Sequence, residues 1–325
     1  MKTLFIQLRR IGDVLMTTPA IRAFKKKYPD SELHYLTEIP ADELLMNNPY
    51  IDKIIKYNPY YNRFKNLIKE IQKNKYDVVI DFFGNPRSSW LAFLSTAKKR
   101  IGFDYRLRKL AYTHRLKLKN IHRVYSAGIK LHLLEFLDIC DDDIGIEIYL
   151  NNKELDRAKN WLTNHNIAEQ EFCVISPVSR KDYKRWQLEK YGEIIKYLIS
   201  KNLKTVIIYG PSEIYEALSV NGYSNDKAVL IDDGMSLREV ASIIKFARFY
   251  LGNDNVHKHI ARAVGIPTFT IFGPVGALSW TDPVFPIQYY FEKYIKCRKK
   301  CNINKCKDYK CIKEVEVAEV IQRLE

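Results

Sequence analysis

The feature that most constrains this chain is an alternation of short apolar segments with longer segments of helical periodicity, repeated in both halves. Runs rich in β-branched residues that alternate with amphipathic segments are typical of parallel α/β units. In the first half this pattern predicts strands at Thr3–Leu8, Glu32–Thr37, Lys53–Tyr57 and Tyr76–Phe82. It predicts helices that begin near Pro19, span Asn62–Asn74 and close this half at Tyr125–Cys140.

The second half shows the same alternation of predicted strands and helices. Strands are predicted at Phe172–Pro177, Lys204–Tyr209, Ala228–Asp232, Phe249–Gly252 and Thr268–Phe272, and helices at Leu188–Ser200, Leu237–Ala247 and Val256–Val264. The segment 151–170 is polar, and we interpret it as the connection between the halves. Because 325 residues suffice for two α/β lobes with separate cores, we predict domains at 1–150 and 151–325.

Composition restricts the cellular location and the kinds of partner that we expect. A net charge of +15 favours an anionic partner, and nucleic acid, acidic lipid and phosphorylated saccharide all qualify. The longest apolar runs, such as Lys204–Tyr209, are far shorter than the roughly 20 residues needed to cross a bilayer. Residues 1–8 are too short for a secretory leader. We therefore predict a cytoplasmic protein without a transmembrane span.

The first candidate for chemistry follows the first predicted strand. Ligand-binding side chains of open α/β sheets lie at the carboxyl ends of the strands, and here the sequence continues Arg9-Arg10-Ile11-Gly12-Asp13-Val14. The glycine permits a tight turn. Asp13 then fits two interpretations equally: a general base in the crevice, or a cap of the following helix.

Two strand ends of the second half also carry polar side chains. The loop 176–186 offers hydroxyl and cationic groups that can bind a diphosphate, although a solvated basic loop has the same composition. The segment Gly252–His259 runs from a strand into a helix, whose free amides and dipole would attract phosphate. A histidine in a helix more often has a structural than a functional role, and the presence of two in one turn favours a functional role only modestly.

Several short motifs occur in a specific order over nearly the whole chain. They are Gly12-Asp13-Val14-Leu15, Thr18-Pro19-Ala20, Lys184-Arg185-Trp186, Gly210-Pro211-Ser212-Glu213, Met235-Ser236-Leu237, Gly252-Asn253-Asp254, His259-Ile260-Ala261, Gly265-Ile266-Pro267-Thr268 and Phe272-Gly273-Pro274. In this order they resemble glycosyltransferase family nine, the ADP-heptose:lipopolysaccharide heptosyltransferases.

The resemblance implies an α/β protein of the GT-B fold, with two Rossmann-like lobes, a cleft between them and a C-terminal helix that packs back. The N-terminal lobe would bind the acceptor and the C-terminal lobe the nucleotide sugar. Asp13 matches the catalytic base of the family. The donor contacts would be Ser179, Arg180, Lys184, Glu213, Met235, Asp254, Asn255 and His259, and the acceptor contacts Arg10, Gly12, Arg100 and Arg106.

One segment departs from the family pattern. Where the family commonly has a small residue, glycine and proline before the helix, this chain has Asn255, Val256 and His257. Loss of the glycine removes a position at which the backbone can approach a phosphate closely. A different nucleotide sugar therefore stays open as the donor.

The expected chemistry is an inverting displacement. Asp13 would accept the proton of the acceptor hydroxyl, while Lys184, Arg180 and the helix after Asp254 would hold the charge of the departing ADP. An inverting enzyme needs no second, nucleophilic carboxylate. Because lysine and a helix dipole can neutralise the diphosphate, we predict that no metal or other cofactor is required.

The basic stretch Lys98–Arg123, interleaved with aromatic residues, is the sharpest local charge feature. We expect it to face an anionic glycolipid or polysaccharide acceptor at the inner membrane, with peripheral membrane contact. Single-stranded nucleic acid would suit the same composition, as would a solvated lysine-rich face. Our prediction excludes nucleic acid as a partner and favours a monomer.

Four of the six cysteines, Cys297, Cys301, Cys306 and Cys311, lie close together in the sequence. Their spacing lacks the paired Cys-x-x-Cys turns of zinc ribbons, so a structural zinc or iron-sulfur centre is one option and a metal-free tail the other. Two functional alternatives also stay open. They are a GT-B sugar-nucleotide epimerase, and a basic binding protein in which Asp13 has no catalytic role.

Overall fold

The computed structural model describes residues 1–121 and 125–325. It divides into two compact units, Met1–Tyr149 and Leu150–Glu325. Each unit contains a six-stranded sheet in which every paired strand is parallel to its neighbour. The predicted α/β class is confirmed.

In the first unit the sheet has the order β3-β2-β1-β4-β5-β6. The strands are β1 Lys2–Ile6, β2 Glu32–Glu38, β3 Lys53–Tyr57, β4 Val78–Asp81, β5 Lys99–Phe103 and β6 His114–Leu116. The helices are α1 Ile11–Leu15, α2 Thr18–Lys27, α3 Phe64–Lys73, α4 Pro86–Leu94 and α5 Ser126–Leu131. Short 3₁₀ helices span Ala41–Leu45, Arg106–Ala111, Leu118–Asn120 and His132–Leu137.

The second unit has the sheet order β12-β11-β10-β7-β8-β9. The strands are β7 Phe172–Ser176, β8 Lys204–Ile207, β9 Val229–Leu230, β10 Tyr250–Asn253, β11 Thr268–Ile271 and β12 Gln288–Phe291. The helices are α6 Asn152–Asn164, α7 Leu188–Ser200, α8 Ile214–Tyr223, α9 Leu237–Lys245, α10 Val256–Ala263, α11 Lys310–Lys313 and α12 Val317–Leu324. Short 3₁₀ helices span Asp182–Lys184, Ala277–Ser279 and Lys296–Lys300.

The central strands are apolar on both faces because helices cover both faces of each sheet. In β1 the last four residues are buried, and β7 is buried along its whole length. Amphipathic helices complete the layers, and α3 buries Leu67 and Ile71 against the core of the first unit. The alternation in the sequence reflects this layered packing.

Both sheets reverse their strand order at one point. In the first unit the order departs in opposite directions from β1 and β4, and in the second from β10 and β7. At such a switch point the loops after the two neighbouring strands diverge and leave a crevice at the carboxyl edge. The loops after β1, β4, β7 and β10 are therefore where side chains can converge on a ligand.

The interpretation of segment 151–170 as a connection was wrong, because most of it forms α6. Asn151 caps this helix by accepting a hydrogen bond from the Glu154 amide at 3.0 Å, and the Glu154 carboxylate returns a contact to the Asn151 amide. Ala158 and Leu162 are buried, and α6 packs on α9. The Asn-x-x-Glu capping signal was present in the sequence and was overlooked.

The predicted helix Tyr125–Cys140 is also corrected. The α-helix ends at Leu131, and a 3₁₀ helix follows to Leu137. Asp138 then has a left-handed backbone with φ 56°, which ends the helical segment. The C-terminal helix α12 packs against α7 of its own unit.

Candidate active site

Asp13 lies in the first turn of α1, directly after the loop that follows β1. Its side chain is partly exposed, and one carboxylate oxygen accepts a hydrogen bond from the Arg10 amide at 3.5 Å. This contact is long for a hydrogen bond. Asp13 therefore contributes weakly to the helix start, as one interpretation expected, and stays accessible to a ligand, as the other requires.

A buried lysine that the sequence analysis missed lies behind Asp13. Lys130 of α5 is almost fully buried, and its Nζ donates to Gln7 Oε1 at 2.7 Å and to the Phe82 carbonyl at 3.4 Å. Burial lowers the pKa of Lys130, and the negative charges of Asp13 and Asp81 oppose that shift. The ammonium group thus acts on both carboxyl groups at the switch point of the first sheet.

The loop between β1 and α1 is fixed from two sides. The Gln7 side chain that accepts from Lys130 donates in turn to the Arg9 carbonyl. The Arg9 guanidinium donates to Glu38 at the end of β2, at 2.7 Å, and Arg87 of α4 contacts the other oxygen of that carboxylate at 3.1 Å. Gly12 is partly exposed and Arg10 is exposed at this edge of the sheet.

The second unit places a buried carboxylate at its own switch point. Asp254 directly follows β10 and is only 4% exposed. Its carboxylate pairs with Lys184, and His259 Nε2 lies 4.0 Å from the other oxygen. Burial alone would raise the pKa of Asp254, but the positive charges of Lys258 and Lys184 outweigh it, so this pKa lies below its ordinary value.

Lys258 is the member of this cluster that sequence analysis missed. It is 1% exposed, and its Nζ donates to the Trp280 carbonyl at 2.5 Å and to Thr281 Oγ1 at 3.3 Å. Burial lowers the pKa of Lys258 to about 8, and Asp254 opposes the shift. Burial also lowers the pKa of His259 to about 3. At neutral pH the cluster therefore holds one carboxylate, two cations and a neutral imidazole.

The prediction of free amides at the start of α10 is wrong for two of them. Asn255 caps this helix, and its Oδ1 accepts from the amides of His257 at 2.9 Å and Lys258 at 3.4 Å. The Asn255 amide group donates to Ser176 Oγ and to the Val178 carbonyl, both at 2.8 Å. Asn255 thus fastens the loop after β7 to the helix, and its role as a donor contact stays a prediction.

Hydrogen bonds and close packing hold the loop after β7, which carries Lys184. Asn253 accepts from the Trp186 amide at 3.1 Å and donates to the Pro177 carbonyl at 2.5 Å. Gly273 is required beside this loop, because a Cβ there would lie 2.1 Å from the Tyr183 carbonyl oxygen. Ser179 Oγ donates to the Asp254 carbonyl at 3.5 Å. Arg180, in the same loop, is exposed.

Two of the predicted donor contacts, Glu213 and Met235, follow the strands on the side of β7 away from β10. Glu213 comes after β8, and its carboxylate accepts from the Gly210 amide at 2.9 Å. Met235 comes after β9 and is partly buried directly before the cap of α9. Both residues therefore lie at the same carboxyl edge as Asp254.

The basic stretch of the first unit forms β5, a 3₁₀ helix and β6, and its last residue, Arg123, lies outside the described residues. Arg100 braces this region, because it donates to the carbonyls of Ala111 at 2.9 Å and Ala97 at 2.7 Å. Arg106 is exposed. Of the two predicted acceptor contacts in this stretch, Arg106 projects into solvent and Arg100 is engaged with the main chain.

The cysteines do not form a metal centre in this arrangement. Within residues 1–121 and 125–325, no three His, Cys, Asp or Glu side chains come together in a way that could hold a metal ion. Cys297 and Cys301 are exposed and Cys311 is buried. The backbone amide of Tyr309 donates to the Cys306 sulfur at 3.5 Å.

Among the described helices, none has both the length and the apolar character that a bilayer-crossing segment needs.

Two parallel α/β units, each with polar side chains at its switch point, agree with the GT-B fold that the sequence resemblance implied. Residues 64–315 match the family model described as glycosyltransferase family 9 (heptosyltransferase). That match extends over more than half of the chain, so the protein belongs to this family and is a glycosyltransferase.

Individual relatives agree with this assignment. The lipopolysaccharide heptosyltransferase 3 of Escherichia coli K12 is 26% identical over 320 residues, which cover 93% of this chain and 91% of the relative. A family 9 glycosyl transferase from Veillonella parvula DSM 2008 has a similar fold, with a TM-score of 0.85, 22% identity and coverage of 99% and 95%. The E. coli heptosyltransferase WaaC, solved with ADP-2-deoxy-2-fluoro heptose, gives a TM-score of 0.74, 20% identity and coverage of 100% and 99%.

Proposed function

We propose that this glycosyltransferase moves a heptose-type sugar from an ADP-sugar donor to a lipopolysaccharide or related envelope glycan. The observation that carries the proposal is the buried cluster of Asp254, Lys184 and Lys258 at the switch point of the second sheet. The family, the lipopolysaccharide heptosyltransferase of E. coli K12 and the WaaC structure with an ADP-heptose analogue support the choice of donor and acceptor.

The second unit stabilises the leaving group in this proposal. With His259 neutral, one carboxylate and two ammonium groups leave the cluster with a net charge of +1. Lys184 is the partly exposed member, so it contacts the diphosphate while Lys258 keeps Asp254 neutralised from behind. Preorganised positive charge of this kind stabilises an anion as it develops and needs no metal ion. Ser179, Arg180, Glu213, Met235 and His259 complete the donor contacts.

The first unit activates the acceptor. The proton of the acceptor hydroxyl passes to the Asp13 carboxylate, the oxygen forms a bond to the anomeric carbon, and the bond from that carbon to the diphosphate breaks. The electron pair of the broken bond leaves with ADP. A single displacement inverts the configuration at the anomeric carbon, and Asp13 is the only base it requires. Arg10, Gly12, Arg100 and Arg106 are the proposed acceptor contacts.

We further propose that domain 1–150 binds the acceptor and domain 151–325 the donor. The enzyme would act as a cytoplasmic monomer in peripheral contact with the inner membrane, where lipid-linked acceptors are available.

Donor binding provides the first test. Calorimetry with ADP and with ADP-, GDP- and UDP-sugars would be performed on the wild type, Lys184→Ala and the control Lys181→Ala. Lys181 is an exposed lysine of the same loop. Loss of a charge-assisted hydrogen bond of about 1.5–3 kcal/mol should weaken ADP binding about 10- to 150-fold in Lys184→Ala and little in the control. Selective binding of a UDP- or GDP-sugar would overturn the choice of donor.

Product analysis tests the reaction. Incubation with ADP-heptose and a heptose-deficient lipopolysaccharide should release ADP and extend the acceptor with an inverted anomeric linkage. A change of the donor sugar in the absence of acceptor would instead identify an epimerase. A retained anomeric configuration would contradict the single displacement at Asp13.

A further inference from the structure

An exposed apolar surface lies in the most basic part of the first unit. Trp90 and Phe93 of α4 are 57% and 48% exposed, and Leu107 and Leu110 of the 3₁₀ helix Arg106–Ala111 are 82% and 68% exposed. Large side chains exposed to this degree normally meet a partner when they cluster. We refer to these four residues as the α4 surface.

The four side chains belong to one continuous region. The rings of Trp90 and Phe93 lie 6.0 Å apart, and α4 packs against the 3₁₀ helix. Arg100 joins the two elements, because its guanidinium lies 5.9 Å from the Phe93 ring and its Nε donates to the Ala111 carbonyl at 2.9 Å. The apolar side chains therefore form a patch on two adjoining elements.

Strong positive charge surrounds this patch. From residue 82 to residue 121 the sequence contains ten Lys and Arg residues and a single acidic residue, Asp104. Asp104 lies 4.0 Å from Lys109, which offsets its charge, while Arg106 next to Leu107 is exposed. Apolar side chains that project from a cationic surface match a bilayer with anionic headgroups, since the tips enter the interface and the cations meet the phosphates.

The position of the patch also suits the chemistry of the unit. The α4 helix follows β4, and the 3₁₀ helix follows β5, so both begin at the carboxyl edge of the sheet. Asp13 follows β1 at the same edge. A bilayer in contact with the α4 surface would therefore hold a lipid-anchored acceptor near the edge that carries the base.

We propose that the α4 surface binds the anionic lipid bilayer in which the acceptor is anchored. This inference rests on the proposed function for the identity of the acceptor, and on the geometry alone for the membrane contact. Trp90 and Leu107 enter the interface, and the neighbouring arginine and lysine side chains bind the lipid phosphates.

Vesicle flotation of the full-length protein tests the proposal. Wild-type protein should float with vesicles of equal parts phosphatidylglycerol and phosphatidylcholine, should float less in high salt, and should stay unbound with phosphatidylcholine alone. Leu107→Ser/Leu110→Ser should weaken the partitioning at least about ten-fold, because two apolar side chains no longer enter the interface. The matched control is Tyr215→Ser/Leu218→Ser, an exposed apolar pair at the same spacing on α8.

Tryptophan fluorescence gives a second measurement that does not depend on a destabilising change. Brominated phospholipid should quench the wild type through Trp90, and Trp90→Phe should remove most of that quenching while the protein still binds. Equal vesicle binding by wild type and the Leu107/Leu110 variant would overturn the proposal. Retention of single-stranded oligonucleotide in place of vesicles would also overturn it.

The outcome is separable from that of the donor assay. The Leu107/Leu110 variant should bind ADP as the wild type does and should extend a delipidated, water-soluble acceptor at the wild-type rate. If the wild type binds vesicles but no nucleotide, the proposed function fails and the membrane contact stands. If it binds ADP but no anionic vesicles, the membrane contact fails alone.

Discussion

Replacement of Lys258 by methionine should change how the stability of the protein depends on pH. Burial lowers the pKa of Lys258 to about 8 in the folded protein, whereas the pKa of a lysine in the unfolded chain is about 10.4. Between these two pH values the unfolded chain binds more protons than the folded protein, so the free energy of unfolding rises with pH. Below pH 8 both states are protonated, and the full cost of burying the ammonium is present.

The size of the effect follows from the difference between the two pKa values, which corresponds to about 3 kcal/mol. Methionine removes the titrating group but keeps an unbranched side chain beside Phe272, whose ring centroid lies 4.7 Å from the Lys258 Nζ. Relative to Lys258→Met, the wild type should therefore gain about 2–3 kcal/mol of stability as the pH rises from neutral to about 10.

Urea unfolding of both proteins across this pH range measures the difference. Titration of other groups largely cancels, because both proteins share them. The control is Lys227→Met, which replaces an exposed lysine and should leave the difference from the wild type nearly constant with pH. A constant difference for Lys258→Met as well would mean that burial does not weaken proton binding at Lys258, and the lowered pKa assigned to this lysine would be wrong.

Three further predictions concern single residues. Asp13→Asn should reduce kcat about 10²- to 10⁴-fold with unchanged ADP affinity by calorimetry; unchanged turnover would refute the base. Lys130→Met should lower kcat about ten-fold at constant KM. Lys130→Gln can still donate a hydrogen bond to Gln7, so it should recover part of the lost kcat if this contact positions the loop. Asn255→Ala should lower stability by about 1 kcal/mol in urea unfolding, because the α10 cap is lost. A large loss of ADP affinity in folded Asn255→Ala would instead support a donor contact.

The sequence was sufficient to predict the central strands and the residues that follow them. Both central strands of each sheet carry continuous apolar runs, because helices cover both faces. Asp254 follows β10 directly, and Asp13 lies in the first turn of the helix after β1. The edge strands β6 and β12 were missed, and so was β5, which lies next to the edge of its sheet. They are short or partly exposed, so the burial that produces an apolar run is weak in them.

The buried lysines could not be predicted, because lysine in a helix is usually a surface residue. Lys258 stands between two histidines in a segment that reads as polar. Its burial depends on Trp280 and Thr281, more than twenty residues later in the chain. The burial of Lys130 depends on Gln7, 123 residues earlier. Asn255, in contrast, directly precedes a helix, and asparagine is a favoured N-cap residue. The sequence could therefore have indicated its structural role.

Both units place buried charged side chains at the switch point of the sheet, but the sign of the charge that predominates differs between them. In the first unit the buried cation Lys130 interacts with two carboxyl groups, Asp13 and Asp81, whereas in the second the buried carboxylate Asp254 is shared by Lys184 and Lys258. An excess of carboxyl groups suits a site that must accept a proton, and an excess of ammonium groups suits a site that must hold a diphosphate. In each unit a lysine buried behind the crevice offsets negative charge at the carboxyl edge of the sheet. Exchange of either buried lysine for a neutral side chain should therefore affect the chemistry of its own unit, proton transfer at Asp13 or nucleotide binding at Lys184, without a direct contact between that lysine and the substrate.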